Sequence, residues 1–177
     1  MTTVMTPTAR EEMLTALHES GHCVVATIFG ATIDRAVVTP DDPERAGLTE
    51  YSTRVTSQRR ADILFGGVYA EAFARHGGPP TPRGLRMVMA RNTHDARAIR
   101  EAGDHSGAVP RLVATCWPSI TGLARVLYAE REISQTDVDK ALFLPADDLD
   151  ARAFALANIR SGATPGTFGI TPAGVRA

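Results

Sequence analysis

The sequence predicts a mostly α-helical domain with a small β element, and three observations support that fold class. Apolar residues recur at helical spacing in long stretches, only two short stretches are rich in β-branched residues, and capping patterns precede several periodic segments. The chain has 177 residues, of which 44% are hydrophobic. It is therefore long enough for one compact domain with a core and too short for two large ones.

The N-terminal segment predicts one long helix followed by two strands. Thr8 and Glu11 have the spacing of a capping box, so the helix is expected to begin there and to end at Gly30. Residues 32–39 are β-branched and lead into a proline, which indicates a strand. A second strand is expected from Gly47, after a polar loop.

A second long helix is predicted over residues 57–76, although it contains Gly66 and Gly67. Each glycine costs a helix interior roughly 1 kcal/mol relative to alanine. Glycines at that cost are best explained by a close crossing with the first helix, whose apolar face carries Gly21. The stretch after this helix, residues 77–84, is rich in glycine and proline and is expected to be an irregular loop.

The rest of the chain predicts four further helices. A short one is capped by Asn92 or Thr93, a long one follows Pro110 through about residue 130, and the next is capped at Ser134. The last lies after Pro145 and precedes a tail rich in glycine, proline and threonine that is predicted to be mobile. We therefore expect one domain over residues 1–145, with residues 146–177 forming a C-terminal helix and tail.

Composition excludes several classes of partner and location. The formal net charge of −1 gives no basic footprint for nucleic acid and no polybasic patch for a membrane surface. The longest clean apolar run is far too short to span a bilayer, and the N-terminus lacks a signal pattern. The sequence thus predicts a cytoplasmic protein. Cys23 and Cys116 lack the spacing of a zinc cluster or redox pair and are expected to be buried free thiols.

The stretch HESGH, within the first predicted helix, contains the candidate metal-binding residues. His18 and His22 are four residues apart, so a helix presents both imidazoles to one point, with Glu19 on the neighbouring flank. This is the arrangement of a zinc site with a general base. The alternative is a pair of structural histidines with local hydrogen bonds, but two rings and a carboxylate in one half-buried patch are costly without a common partner.

A catalytic zinc site normally has a third protein ligand and a water molecule. That ligand comes from a part of the chain brought near by folding, so spacing alone does not identify it. The candidates are Glu71, His76, His94, Asp95, Asp104 and His105.

Four segments, taken in order, resemble the protease domain of the FtsH family of ATP-dependent zinc metalloproteases. They are the HESGH helix with the strand after it, GLTEYS, ILFGGVYAEAF and NTHDARAIREA. The resemblance extends over roughly residues 10–145, because ITGLARVLYAEREISQTDVDKAL is similar to the closing helices of the family. The first motif is specific, and the order of the others strengthens the match.

The resemblance implies a ligand set and roles for individual residues. Asp95 would be the third zinc ligand, and Glu71 would orient a histidine ligand from behind. Glu19 would act as the general base. The sequence departs from the family where Val68 replaces an arginine, and His94 lies beside the aspartate. His94 and His105 therefore remain alternatives for the third ligand.

The resemblance also implies proteolytic activity. The substrates expected for it are limited by the absence of an ATPase from this sequence. Family members carry an ATPase, whose phosphate-binding loop requires a lysine after a glycine. The only lysine here, Lys140, follows Asp139, so we expect a protease domain alone, with neither ATP nor a membrane anchor. The predicted function is zinc-dependent endopeptidase activity on peptides or unfolded proteins lying along the strand at residues 32–39.

A non-catalytic interaction or regulatory module, stabilised by zinc and derived from such a peptidase, is the alternative function. The lost ATPase and the lost arginine motivate it, whereas the retained Glu19 argues against it. Family members assemble as rings of six, so a homo-oligomer is possible for this chain.

Overall fold

The computed structural model describes residues 5–42, 46–52, 55–103 and 105–169, and it is mostly helical with one small sheet. The predicted fold class is confirmed at this level. The elements, in chain order, are α1 Pro7–Ile28, β1 Ile33–Val38, β2 Gly47–Tyr51, α2 Ser57–His76, α3 Pro82–Arg91, α4 Thr93–Ala102, α5 Val109–Thr115, α6 Trp117–Glu130, β3 Glu132–Ile133, α7 Gln135–Ala141 and α8 Leu149–Ser161.

Helix α1 is the central element of the fold. Every residue from Ala16 to Ile28 is buried, so the helix is enclosed on all sides along its second half. It begins earlier than the sequence predicts, because Thr6 is the N-cap and accepts a hydrogen bond from the Ala9 amide at 3.2 Å. The capping box predicted at Thr8 is therefore wrong. Pro7, with its fixed backbone angle, is well suited to the first helical position.

Helices α1 and α2 cross at glycines, as the sequence predicts. A Cβ atom built at Gly21 would lie 2.6 Å from both the Ala70 Cβ and the Gly66 carbonyl oxygen. One built at Gly66 would lie 2.7 Å from a Val25 methyl group. Real Cβ atoms do not approach other atoms so closely, hence any larger residue would push the helices apart. The predicted close crossing is confirmed.

The sheet has the strand order β2-β1-β3, with both pairings antiparallel. Strand β1 lies close to its predicted position, but it is the central strand, because Ala36 pairs with Ile133 of β3. The prediction that residues 32–39 offer a free backbone edge to a peptide is therefore wrong. Strand β2 lies at the edge of the sheet instead.

Two predictions about the helices after α2 are also wrong. The predicted irregular loop contains the start of α3, where Thr81 accepts a hydrogen bond from the Gly84 amide at 3.1 Å. The long helix expected after Pro110 is two helices, α5 and α6, which meet at Cys116. Pro118 explains the break, because a proline ring clashes with the carbonyl group four residues earlier in a continuous helix.

The C-terminal helices pack against the remainder of the domain. The capping box predicted at Ser134 is present, with Asp137 as its second member. Helix α8 buries Ile159 completely, and the Arg160 guanidinium donates to the Ile28 carbonyl oxygen of α1 at 2.9 Å. Residues 170–177 of the predicted mobile tail lie outside the described residues.

Two further predictions concern burial and membranes. Cys23 and Cys116 are buried and free, as expected. Among the helices that the structure describes, none combines the length and the apolar character that crossing a bilayer requires.

Candidate metal centre

The two histidines of α1 lie side by side on the face that packs against α2. His18 is 5% exposed and His22 is 6% exposed. Their ring centroids are 4.6 Å apart in an edge-on arrangement, and their Nε2 atoms are 2.9 Å apart. The helical spacing of four residues therefore brings both imidazoles to one point, as the sequence indicates.

A backbone carbonyl group fixes the tautomer of His22. Its Nδ1 lies 2.8 Å from the Ile63 carbonyl oxygen of α2. A carbonyl oxygen can only accept, so Nδ1 carries the hydrogen, and Nε2 of the neutral ring presents a lone pair.

A carboxylate fixes the tautomer of His18. Its Nδ1 lies 3.2 Å from Glu71 Oε2, on α2. Glu71 Oε2 also accepts from the Asn92 side-chain amide at 2.8 Å, and Oε1 accepts from Arg75 Nε at 2.7 Å. Arg75 in turn pairs with Glu11 at the start of α1. Glu71 is therefore held at both oxygens and orients the His18 ring.

Asp95, on the first turn of α4, completes the cluster. Its Oδ2 lies 2.8 Å from His18 Nε2 and 3.7 Å from His22 Nε2. One ligand atom from each of the three residues lies within 4.8 Å of the others, which is the arrangement that could hold a metal ion. The structure thus brings the predicted third ligand to the two histidines.

The other candidates for the third ligand lie elsewhere. His76 and His94 are exposed, and His105 stacks on the Phe65 ring with centroids 3.6 Å apart. Glu71 contacts Nδ1 of His18, on the opposite side of the ring from the cluster. Asp104 lies outside the described residues.

The charges at the cluster favour a cation at its centre. Burial lowers the pKa of His18, but hydrogen bonds to Asp95 and Glu71 outweigh it and raise that pKa to about 10. Burial raises the pKa of Glu71, yet the bond and charge of His18, together with the bonds from Arg75 and Asn92, outweigh burial and lower that pKa to about 2. The pKa of Asp95 is also lowered, because its contacts with the two histidines outweigh burial.

The donor set fits a zinc ion. In the neutral tautomers, two imidazole lone pairs and one carboxylate oxygen point at each other, which is repulsive unless a positive charge lies between them. A cation bound between them would supply that charge. Two histidine nitrogens and one carboxylate oxygen form a ligand set of catalytic zinc sites, with the fourth position open.

Glu19 lies next to the cluster and contacts an edge strand. Its side chain is buried, and Oε2 accepts from the Thr49 hydroxyl of β2 at 2.7 Å. A Cβ atom at Gly47 would lie 2.5 Å from Glu19 Oε1, so the glycine makes room for this carboxylate. Strand β2 therefore positions Glu19.

An open cleft of ≈ 730 Å³ contains the cluster and Glu19. Residues of α1, β2 and α2 and of the start of α4 line it. The apolar residues that line it are Leu14, Ala46, Leu48, Tyr51 and Leu64. Every residue of β2, from Gly47 to Tyr51, lines the cleft.

Sequence reasoning missed the residues that support the cluster. Thr49 and the Ile63 carbonyl group reach it from distant parts of the chain, and nothing in their local sequence marks them. Asn92 is predicted only as a helix cap and not as a partner of Glu71. Arg75 is different, because it lies four residues after Glu71 on one helix, where opposite charges pair. That spacing could have identified it.

Comparisons with known proteins give no independent identification. No family model matches the chain, and no curated protein matches it significantly in sequence. What the cluster can do must therefore be judged from its own geometry.

Proposed function

We propose that this protein is a zinc-dependent endopeptidase, similar to the FtsH protease domain, which hydrolyses unfolded or flexible polypeptides without an ATPase of its own. One observation carries the proposal. Nε2 of His18, Nε2 of His22 and a carboxylate oxygen of Asp95 converge in an open cleft beside the buried carboxylate of Glu19, and both imidazoles are held from behind. A cytoplasmic location and a homo-oligomeric state stay predictions from the sequence.

The ligands would be Nε2 of His18, Nε2 of His22 and a carboxylate oxygen of Asp95. Bound there, zinc supplies a Lewis acid that polarises the substrate carbonyl and lowers the pKa of a water molecule. The hydrogen bonds from His22 to Ile63 and from His18 to Glu71 would keep both Nε2 lone pairs directed at the position of the metal ion.

Glu19 would act as the general base and then as the general acid. Its carboxylate would accept the proton of the attacking water and pass it to the amine that leaves. The Thr49 hydroxyl bonds to Oε2 and holds the side chain in one orientation, so that little reorganisation accompanies the proton transfer.

Strand β2 would bind the substrate through its backbone. It is an edge strand of the sheet and lines the cleft, so an extended peptide could add to it as a further strand. Backbone hydrogen bonds of this kind tolerate many sequences but require an extended chain. This requirement favours unfolded or flexible polypeptides over folded proteins.

The test is hydrolysis of fluorescently labelled casein, an unfolded protein, by the zinc-loaded enzyme. We expect Glu19→Gln to lower the rate by about 10²–10⁴-fold, because general acid–base catalysis contributes that much, while zinc stays bound. Glu101→Gln is the matched control. It removes an exposed carboxylate of α4 that pairs with Arg97, and it should leave the rate unchanged.

Two results would contradict the proposal. Equal rates for Glu19→Gln and the unaltered protein would exclude Glu19 as the base. Stoichiometric zinc with no cleavage by the unaltered protein would instead favour the non-catalytic zinc-stabilised module.

A further inference from the structure

Asn92 forms the whole link between α3 and α4. Its N–H donates to the Val88 carbonyl oxygen at 3.0 Å, which ends α3, and its own carbonyl accepts from the Ala96 amide at 2.9 Å, which begins α4. Asn92 therefore occupies the N-cap position of α4. Asparagine is among the best N-cap residues, because its side-chain oxygen can accept from a free amide of the first turn.

The Asn92 side chain does not cap its helix. Helix α4 has no side-chain cap hydrogen bond. Helices α1, α2, α3 and α8 each have one, from the amide three residues on, and their cap residues are Thr6, Thr56, Thr81 and Asp148. Such a bond from an N-cap side chain contributes to the stability of its helix. At Asn92 that contribution is given up.

The amide of Asn92 bonds instead to Glu71. Its Nδ2 donates to Glu71 Oε2 at 2.8 Å and to the Val88 carbonyl oxygen at 3.0 Å. A carboxylate and a carbonyl can only accept, so the nitrogen of the side-chain amide must be the atom that faces them. Both of its hydrogens are used, which fixes the side chain in one orientation.

The same Glu71 oxygen accepts a hydrogen bond from Nδ1 of His18 at 3.2 Å. Asp95 lies three residues after Asn92, on the first turn of the same helix. The bond from Asn92 to Glu71 therefore connects the helix that carries one ligand to the carboxylate that orients another. Arg75 holds the second oxygen of Glu71 at 2.7 Å, so the carboxylate is a fixed point for this connection.

We propose that Asn92 is a positioning residue of the metal centre, which acts through Glu71 to set the distance between Asp95 and His18. The inference rests on the proposed zinc site. Its physical basis is that ligand atoms must be held within about half an ångström of the required geometry, which a helix joined through one residue does not achieve by itself.

The experiment measures zinc affinity by competition with a chromogenic chelator for three variants. Asn92→Ser and Asn92→Asp both keep a good N-cap residue but remove the amide donors. We expect each to weaken zinc binding by about 10–100-fold, as the loss of outer partners of metal ligands does. Asp148→Ala is the matched control. It removes a cap that is made, to the Ala151 amide at 2.8 Å, and should lower the melting temperature without changing zinc affinity.

A second measurement needs no variant. In the zinc-loaded protein, the side-chain amide hydrogens of Asn92 should exchange slowly with solvent in NMR spectra, because both are hydrogen-bonded. Unchanged zinc affinity in Asn92→Ser, or fast exchange of these hydrogens, would overturn the inference and reduce Asn92 to a linker. If the unaltered protein bound no zinc, the proposed function would fail first and this inference with it.

Discussion

The two sides of α1 bury different kinds of side chain. On the side of α2 and α4 lie titratable residues, among them His18, His22 and Glu71. On the side of α5 to α8 the buried side chains are mostly aliphatic, and the largest are Leu112, Ile120, Leu123, Leu127, Leu142 and Ile159. Buried ionisable groups are costly unless each is partnered, whereas buried aliphatic groups stabilise in proportion to their area. The first side should therefore depend on a bound cation, and the second should not.

Glycine is also used differently on the two sides. On the metal side, a Cβ atom at Gly67 would overlap the His22 ring. In α6, a Cβ atom at Gly122 would meet nothing within 4 Å. One glycine is required by the site, and the other is only a weak helix former.

The largest effect is expected from Gly67→Leu, which should abolish stoichiometric zinc binding although it alters no ligand. The new side chain would displace the His22 ring from its bond to the Ile63 carbonyl oxygen and force α1 and α2 apart. Zinc content after dialysis measures the result. Full zinc occupancy in a folded Gly67→Leu protein would show that the crossing does not hold the site.

The next effect concerns the aliphatic side. Leu127→Ala should lower the free energy of unfolding by about 2–5 kcal/mol, because it removes a fully buried side chain and leaves a cavity. The decrease should be the same with and without zinc, since α6 contributes no ligand and distant sites are additive. Urea unfolding of both forms measures it, and a decrease seen only with zinc would break the distinction between the two sides.

The smallest effect is expected from Gly122→Ala. The methyl group enters open space on a helix, so the free energy of unfolding should rise by about 0.5–1 kcal/mol. Zinc affinity should not change, which makes this variant the control for Gly67→Leu. Calorimetry measures the change. A loss of stability in Gly122→Ala would contradict the assignment of Gly122 as an unconstrained position.

Features that local spacing determines could be predicted from the sequence. The pair His18 and His22 depends only on helical geometry, and the close crossing follows from the cost of Gly66 and Gly67. Thr81 and Pro82 also indicate the start of α3, because threonine is a common N-cap residue and proline is common at the first helical position. That helix was missed because it buries only Val88, so no periodic apolar stripe marks it.

Features that depend on tertiary contact could not be predicted from spacing. Strand β3 has two residues, too few for a pattern, yet it covers the edge of β1 and leaves β2 as an edge strand. The position of Asp95 depends on how α4 packs against α2, which its neighbouring residues do not record. The resemblance to a known family, and not the spacing, singled out Asp95 and Glu71.

The most direct test of the central claim is the zinc content of the purified protein and of five single variants. We expect about one zinc ion per chain in the unaltered protein, and its loss in His18→Ala, His22→Ala and Asp95→Ala, because three protein ligands are needed to hold a catalytic zinc ion. His94→Ala and His105→Ala should retain it, since neither ring lies in the cluster. Zinc retained in Asp95→Ala, or absent from the unaltered protein, would contradict the account.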